Sequence, residues 1–232
     1  LIVFVGAFGI IQVGQKIGVL DTFFGNLAIG YADNGVCYSF VITWMDTGID
    51  KPEEYSAQAM KDIFDKGELG DDGIYTPGKD DDTNVGDTPN ILYLQLESFF
   101  DPYLVKGLEF SQDPIPYFRS LMDEYSTGEL IVPSVGAGTA NIEFEVMTGI
   151  SARFFGPGEY PHKTIMKKTT CDSVPYALRE IGYNTHAIHN NKATFYSRVD
   201  VFPNLGFETY TSKEYMDISN QTPNGWLKDD VL

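Results

Sequence analysis

Apolar runs separated by polar breaks divide the chain into elements, because the length and period of a run decide what it can bury. Leu1 to Ile11 holds only apolar residues and glycine. A helix needs about 20 such residues to cross a bilayer. Residues 1–20 are therefore expected to be the end of a membrane helix and its juxtamembrane continuation, with a buried core helix as the alternative. A signal peptide fits less well, since no basic segment precedes the run and no small-residue cleavage site follows it. Residues 21–66 are expected to form juxtamembrane helices. Ile17 to Trp44 is rich in glycine, phenylalanine and other apolar residues. Lys51-Pro52-Glu53-Glu54-Tyr55-Ser56 opens a polar helix that continues to about Lys66, with Ser56 as an internal cap or an exposed position.

Residues 67–89 read as an acidic linker, with Asp71, Asp72, Asp80, Asp81, Asp82 and Asp87 and little apolar content. Asp80-x-Asp82-x-Asn84 hints at a calcium loop. The required turn glycine is Val85, however, and the closing acid is Ile91, so a solvated loop is the better reading.

A compact domain is expected over residues 90–232. Ile91–Leu96 reads as a buried strand ended by Glu97-Ser98, and Glu129–Val132 as a short strand stopped by Pro133. Pro116–Tyr125 reads as a helix with Tyr117, Phe118, Leu121 and Met122 as its stripe, and Thr139–Thr148 as another. Asp172–Ile181 is a third helix, capped by Asp172 or Ser173 and closed by Gly182. Asn184–His189 is a strand, and Ala193–Leu205 is mostly helical or looped. Alternating strands and helices predict an α/β sheet flanked by helices.

Charge narrows the classes of partner. The net charge is −17, from 16 basic and 33 acidic residues. Such a surface repels nucleic-acid phosphates, which excludes DNA or RNA as an expected partner. It also repels anionic lipid headgroups, so a phospholipid substrate needs a local metal or basic cluster. The acidic excess suits an extracytoplasmic domain, because positive charge is favoured on the cytoplasmic side. Cys37 and Cys171 stand in no metal-binding spacing and are expected to be unpaired packing residues. The chain opens on Leu and carries no terminal signal, and it is expected to be a piece of something longer.

In open α/β sheets ligands gather at the carboxyl ends of strands. Glu97 and Thr139 follow predicted strands, and the pair His189-Asn190 ends one. Buried at a strand end, Glu97 needs a partner such as a divalent cation; exposed, it needs none. Thr139 follows Gly136-Ala137-Gly138 at a predicted helix start, where backbone N–H groups and the helix dipole favour phosphate and a developing alkoxide. A threonine hydroxyl is a weak nucleophile that needs a base or a metal. By spacing alone Thr139 reads first as a helix cap, and with Glu143 it misses a capping box by one residue. Arg198 can clamp a phosphate with two hydrogen bonds, and Tyr196 can pack against a polyol. The plain alternative for this run is a surface helix, with Arg198 paired to one of the many acids.

Taken in order, Tyr93-Leu94-Gln95-Leu96-Glu97-Ser98-Phe99, Gly138-Thr139-Ala140-Asn141-Ile142-Glu143-Phe144 and His189-Asn190-Asn191-Lys192-Ala193-Thr194-Phe195-Tyr196-Ser197-Arg198 resemble the lipoteichoic acid synthase family. That family is a branch of the sulfatase/alkaline-phosphatase-like superfamily. Each motif alone is weak, and the ordered set is specific. The resemblance covers about residues 20 to 232, including Tyr31-Ala32-Asp33. It implies an alkaline-phosphatase/sulfatase-like α/β sheet flanked by helices, of which residues 90–232 are the N-terminal part, truncated on the C-terminal side. It further implies a polytopic membrane protein with its catalytic domain on the extracytoplasmic face. Such enzymes move glycerol phosphate from phosphatidylglycerol to a growing glycerol-phosphate polymer through a phosphothreonine, with a divalent metal, typically Mn2+ (Mg2+ as the alternative).

Carried over residue by residue, Glu97 is a metal ligand and Thr139 is both nucleophile and metal ligand. Arg198 contacts the substrate phosphate. Tyr196 stands where many members have Trp, which leaves the acceptor open. Ser98 and His189 match site-lining positions. The family's remaining metal ligands, an adjacent Asp-His pair, lie downstream of residue 232, so these residues alone are expected to be inactive. The rivals are a phosphoethanolamine transferase, a sulfatase-like hydrolase, and a catalytically dead membrane-tethered domain that binds an envelope polymer. A Cys-x-Pro-x-Arg sulfatase motif is absent around Thr139.

Overall fold

The computed structural model describes residues 2–20, 24–45, 48–49, 51, 53–59, 61, 89–96, 99–132, 134, 136 and 138–232. Residues 67–88 of the acidic linker, Glu97 and Ser98 lie outside them.

Helix α1 spans Ile2–Lys16, with Lys16 in its last turn, where a cation complements the helix dipole. At about 1.5 Å per residue it is too short to cross a bilayer. No helix among the described residues is long and apolar enough to do so. Helices α2 (Leu27–Asn34) and α3 (Val36–Met45) form a hairpin. The Asn26 side chain caps α2 by accepting from the N–H groups of Ala28 and Ile29. Inside the hairpin, Ser39 Oγ donates to the Gly30 carbonyl at 3.1 Å. A Cβ on Gly30 would lie 2.5 Å from the Phe24 ring, so the close approach requires glycine. The hairpin is tied to the rest of the chain where Gly48 N–H donates to Glu159 Oε2 at 2.7 Å. Ser56 Oγ accepts from Ala59 N–H at 3.0 Å, which is the internal-cap reading of Ser56.

In the predicted domain, α4 is Pro116–Glu124, α5 is Thr139–Thr148, α6 is Val174–Glu180 and α7 is Arg198–Asn204. Proline at the first position of α4 and a Ser173 cap on α6 start those helices as the sequence suggests. The α4 stripe is largely uncovered: Tyr117 is 76% exposed, and Phe118 packs on Phe99 with ring centroids 4.6 Å apart. Strands β1 (His186–His189) and β2 (Thr209–Ser212) pair in parallel, with His186 opposite Thr209. The chain passes from one to the other through α7, so this is a β-α-β unit.

Residues 91–96 and 129–132 form no ladder among the described residues, contrary to the expected strands. Leu92 is 90% exposed and Ile131 95% exposed. Apolar runs supply strand propensity, but a strand exists only through a hydrogen-bonded neighbour. Cys37 is exposed rather than packed, Cys171 is half-buried, and neither is bonded to another cysteine.

Among the described residues, the predicted domain has its core in one cluster. Phe144 and Met147 from α5 pack with Phe155, Met166, Ala187 of β1, and Val201, Phe202 and Leu205 on and after α7. The Phe144 and Phe155 rings meet edge to face at 5.5 Å. Since α5 and the β1-α7 connection share this cluster, the segments that carry Thr139 and Arg198 are fixed against each other.

Candidate functional site

The site starts at a glycine. Gly138 caps α5 in the left-handed conformation, with φ 86° and no side-chain cap bond. A Cβ there would lie 3.1 Å from both Cε1 and Oη of Tyr160 and 3.2 Å from Ser134 Oγ. Thr139 is consequently the first helical residue and not the cap that its spacing suggested. The left-handed turn takes the cap position, because only glycine adopts it without strain, and the threonine moves one place inward. Thr139 is half-buried at a helix N-terminus.

The second part is the turn after β1. Phe195–Ser197 is one 3-10 turn that runs directly into α7. Tyr196 (φ 53°) and Ser197 (φ 58°) are consecutive non-glycine residues in left-handed conformation. Such backbone costs on the order of 1–3 kcal/mol per residue and persists where surrounding contacts enforce it, often at functional sites. Those contacts are visible here. Tyr196 stacks on Tyr160, with centroids 5.6 Å apart and ring planes 27° apart. Lys163 Nζ lies 4.6 Å and 4.9 Å from the centroids of the same two rings. His189 ends β1, where its Nδ1 accepts from Asn191 N–H at 3.0 Å. Tyr160 therefore touches both halves, lying against Gly138 on one side and Tyr196 on the other. A cavity of about 330 Å³ opens beside this stack, lined by Lys163, Asn191, Lys192, Thr194, Phe195 and Tyr196.

Beneath both halves lies a buried ion pair. Glu143 is one turn after Thr139 on α5. Its Oε2 accepts from Arg198 Nη2 at 2.8 Å and Nε at 3.1 Å. Its Oε1 accepts from His162 Nε2 at 3.0 Å. A carboxylate can only accept, so the His162 proton sits on Nε2. Arg198 is 2% exposed and His162 0%, so Arg198 does not lie on a surface, while the pairing with an acid that the plain alternative expected is present at Glu143. Burial pushes the Glu143 carboxyl up, but the His162 hydrogen bond and the Arg198 charge outweigh it and hold the group at about 2. Tyr210 lies close enough for its phenol to be pushed up to about 12, by burial first and by the Glu143 charge among smaller causes. Among the described residues, Tyr210 Oη and His162 Nδ1 are buried without a hydrogen-bond partner.

Thr139, Tyr196, His189 and Arg198 are thus gathered onto two linked segments, whereas Glu97 and Ser98 are outside the described residues. In the sequence Glu143 figured only as a near-miss capping partner of Thr139, and Tyr160, His162 and Lys163 were not singled out. Glu143 alone carried a signal, as an acid between Ile142 and Phe144 one turn below the predicted nucleophile. His162 and the Tyr160-Lys163 pair sit in a loop region with no motif of their own.

Comparison with known proteins gives the class. A family model described as Sulfatase matches residues 89–232, and the chain belongs to that family. The chain has the sulfatase-like α/β fold. It is 30% identical over 186 residues, 80% of its length, to a protein of Rhizobium meliloti (strain 1021) named "Putative cyclic beta-1,2-glucan modification protein". The match takes in 27% of that relative, so the chain spans about a quarter of its length. Among solved structures, the lipoteichoic acid synthase LtaP from Listeria monocytogenes shows 25% identity and a TM-score of 0.37. That match covers 41% of this chain and 22% of that one.

Members of this superfamily are metal-dependent. Among the described residues, no group of three or more His, Cys, Asp or Glu side chains gathers for an ion. Thr139, at the α5 N-terminus, is the one predicted ligand they include, and its hydroxyl is a hard oxygen donor of the kind such ions accept.

Proposed function

We propose that the protein is a phosphoglycerol transferase that works through a phosphothreonine at Thr139. The observation that carries this reading is the joining of two segments. Thr139 starts α5, and Arg198 is bound to the same helix one turn lower through Glu143. Thr139 Oγ1 attacks the phosphorus of a phosphatidylglycerol-like donor. The P–O bond to diacylglycerol breaks, and that oxygen leaves with a proton. An acceptor hydroxyl then attacks the phosphothreonine and releases Thr139. The α5 N-terminus favours the negative charge that builds on the phosphoryl oxygens, and Arg198 binds one pair of them. Mn2+, with Mg2+ as the alternative, is the proposed ion, with Glu97 and Thr139 among its ligands. It would supply a lowered cost for deprotonating the threonine hydroxyl.

Tyr196, His189 and Ser98 are the proposed lining of the donor headgroup site. The acceptor is proposed to be a glycerol-phosphate polymer. The Rhizobium relative's name favours a second acceptor class, a glucan hydroxyl, and the aromatic and polar lining beside Tyr196 suits either polyol or sugar. The α1–α3 segment is proposed to lie at the membrane, with the catalytic residues on its extracytoplasmic side.

The test is transfer from labelled phosphatidylglycerol by the intact protein, with polymer and glucan acceptors offered in parallel. Thr139→Ala is expected to abolish transfer and the phosphorylated intermediate, a loss of at least about 10³-fold. Full turnover by that variant sinks the mechanism, and phosphoethanolamine transfer in its place moves the donor class.

A further inference from the structure

Arg198 is the proposed phosphate contact, yet its guanidinium is already engaged. Arginine has five N–H donors in a plane. The edge formed by Nε and one hydrogen of Nη2 is occupied by Glu143, at 3.1 Å and 2.8 Å to Oε2. Nη1 makes one long contact, 3.4 Å to the Phe195 carbonyl oxygen. Among the described residues, one edge of the fork therefore remains, between Nη1 and Nη2. The ring faces of Phe195 and Tyr196 lie 5.5 Å and 5.4 Å from the guanidinium carbon and restrict its tilt. The carboxylate has no freedom to turn either, because His162 Nε2 holds Oε1 and both partners are buried.

We propose that Glu143 is the positioning residue of the phosphate site: it fills the Nε/Nη2 edge of Arg198, is itself locked by His162, and leaves only the Nη1/Nη2 edge to receive a phosphoryl group. This rests on the phosphate role proposed for Arg198 and adds how that role is directed. A mobile arginine can approach phosphate by either edge, whereas this one can approach by a single edge. Since Glu143 belongs to α5, the direction is set relative to Thr139. Glu143 touches no reacting atom.

The experiment uses Glu143→Asp, which keeps the charge and shortens its reach, and Glu143→Gln, which removes the charge. NMR of the side-chain Nε–H of Arg198 reads the clamp directly. In the native protein that proton is expected to exchange slowly, and in both variants faster. Exchange as fast as that of the exposed Arg153 in the native protein would overturn the proposal. Titration with inorganic phosphate reads the direction of binding. The native protein is expected to shift the Arg198 Nη signals, and Glu143→Asp to weaken phosphate affinity at a temperature where circular dichroism shows it folded. A variant that only melts earlier, with phosphate affinity intact, assigns Glu143 to structure alone and overturns the proposal. In the turnover assay, Glu143→Asp is expected to lower kcat about 10- to 100-fold, as sub-ångström to ångström misplacement does, with KM less affected. Adding Arg198→Lys to it should cost little more, because the two residues act as one unit. Independent, multiplying losses would overturn the coupling. If phosphate binds at Arg198 but no transfer is found, the transferase reading fails while the positioning role stands.

Discussion

A methyl group at Gly138 would meet Tyr160 and Ser134 in a conformation that already disfavours any side chain. Gly149, at the other end of α5, has a φ of 70° but open space around it. Both glycines are left-handed, so the pair separates backbone strain from crowding. Gly138→Ala is expected to cost about 1–3 kcal/mol and to disturb Tyr196 through Tyr160. Gly149→Ala should cost the smaller, purely conformational part. Urea denaturation of the two variants checks this, and equal midpoints would rule out the crowding. Residues of this kind divide by legibility. Gly138-Thr139 stood out because glycine and a short hydroxyl at a helix start have few uses. Glu143 did not, since its meaning lies in two partners, 55 and 19 residues further along the chain, that no local pattern announces.

Helix α5 and the β1-α7 connection show what a buried charge does for two elements. Breaking one side of a buried, hydrogen-bonded ion pair costs roughly 3–5 kcal/mol, mostly because the remaining charge is left unpaired. The Glu143 carboxyl is held at about 2, below its ordinary value of 4.5. A depressed carboxyl contributes its stability above the unfolded value, and that stability drains away as pH falls from about 4.5 to about 2. The native protein is expected to lose on the order of a few kcal/mol across this window. Glu143→Gln should be less stable at neutral pH and flatter through the acid range. Thermal melts at pH 7, 4.5 and 3 measure it, and parallel curves for the two proteins would contradict the assignment. At this scale the helices were readable because their signals are local: Pro116 and Ser173 at starts, glycines at ends, apolar residues on the buried face. Of the two paired strands only β1 was legible, as Asn184–His189, whereas β2 (Thr209–Ser212) was not predicted. Ile91–Leu96 and Glu129–Val132 have the composition of strands, but composition does not supply a neighbour.

Across the whole molecule, two features pull in opposite directions. The net charge of −17 repels an anionic lipid surface. The α2-α3 hairpin, however, shows Val36, Phe40 and Trp44 at 69%, 60% and 74% exposure, spaced along one face of α3, while Ser39 and Ile42 are buried on the opposite side. Apolar helix faces that end in tryptophan suit the headgroup boundary, and the hairpin's only charged residue is Asp33. The chain is expected to sediment with zwitterionic phosphatidylcholine vesicles. Replacing Phe40 and Trp44 together by Ser should weaken that binding about tenfold or more. Binding unchanged by the double substitution would remove α3 as the contact.

Under the proposed lipid-donor reading, that exposed stripe sets how turnover would depend on the donor. A protein seated on a surface by one helix face meets its lipid donor in two dimensions. Its rate then follows the mole fraction of donor in that surface and not the amount in the surrounding volume, so diluting the donor with inert lipid slows turnover, whereas diluting the vesicles with buffer while the protein stays bound does not.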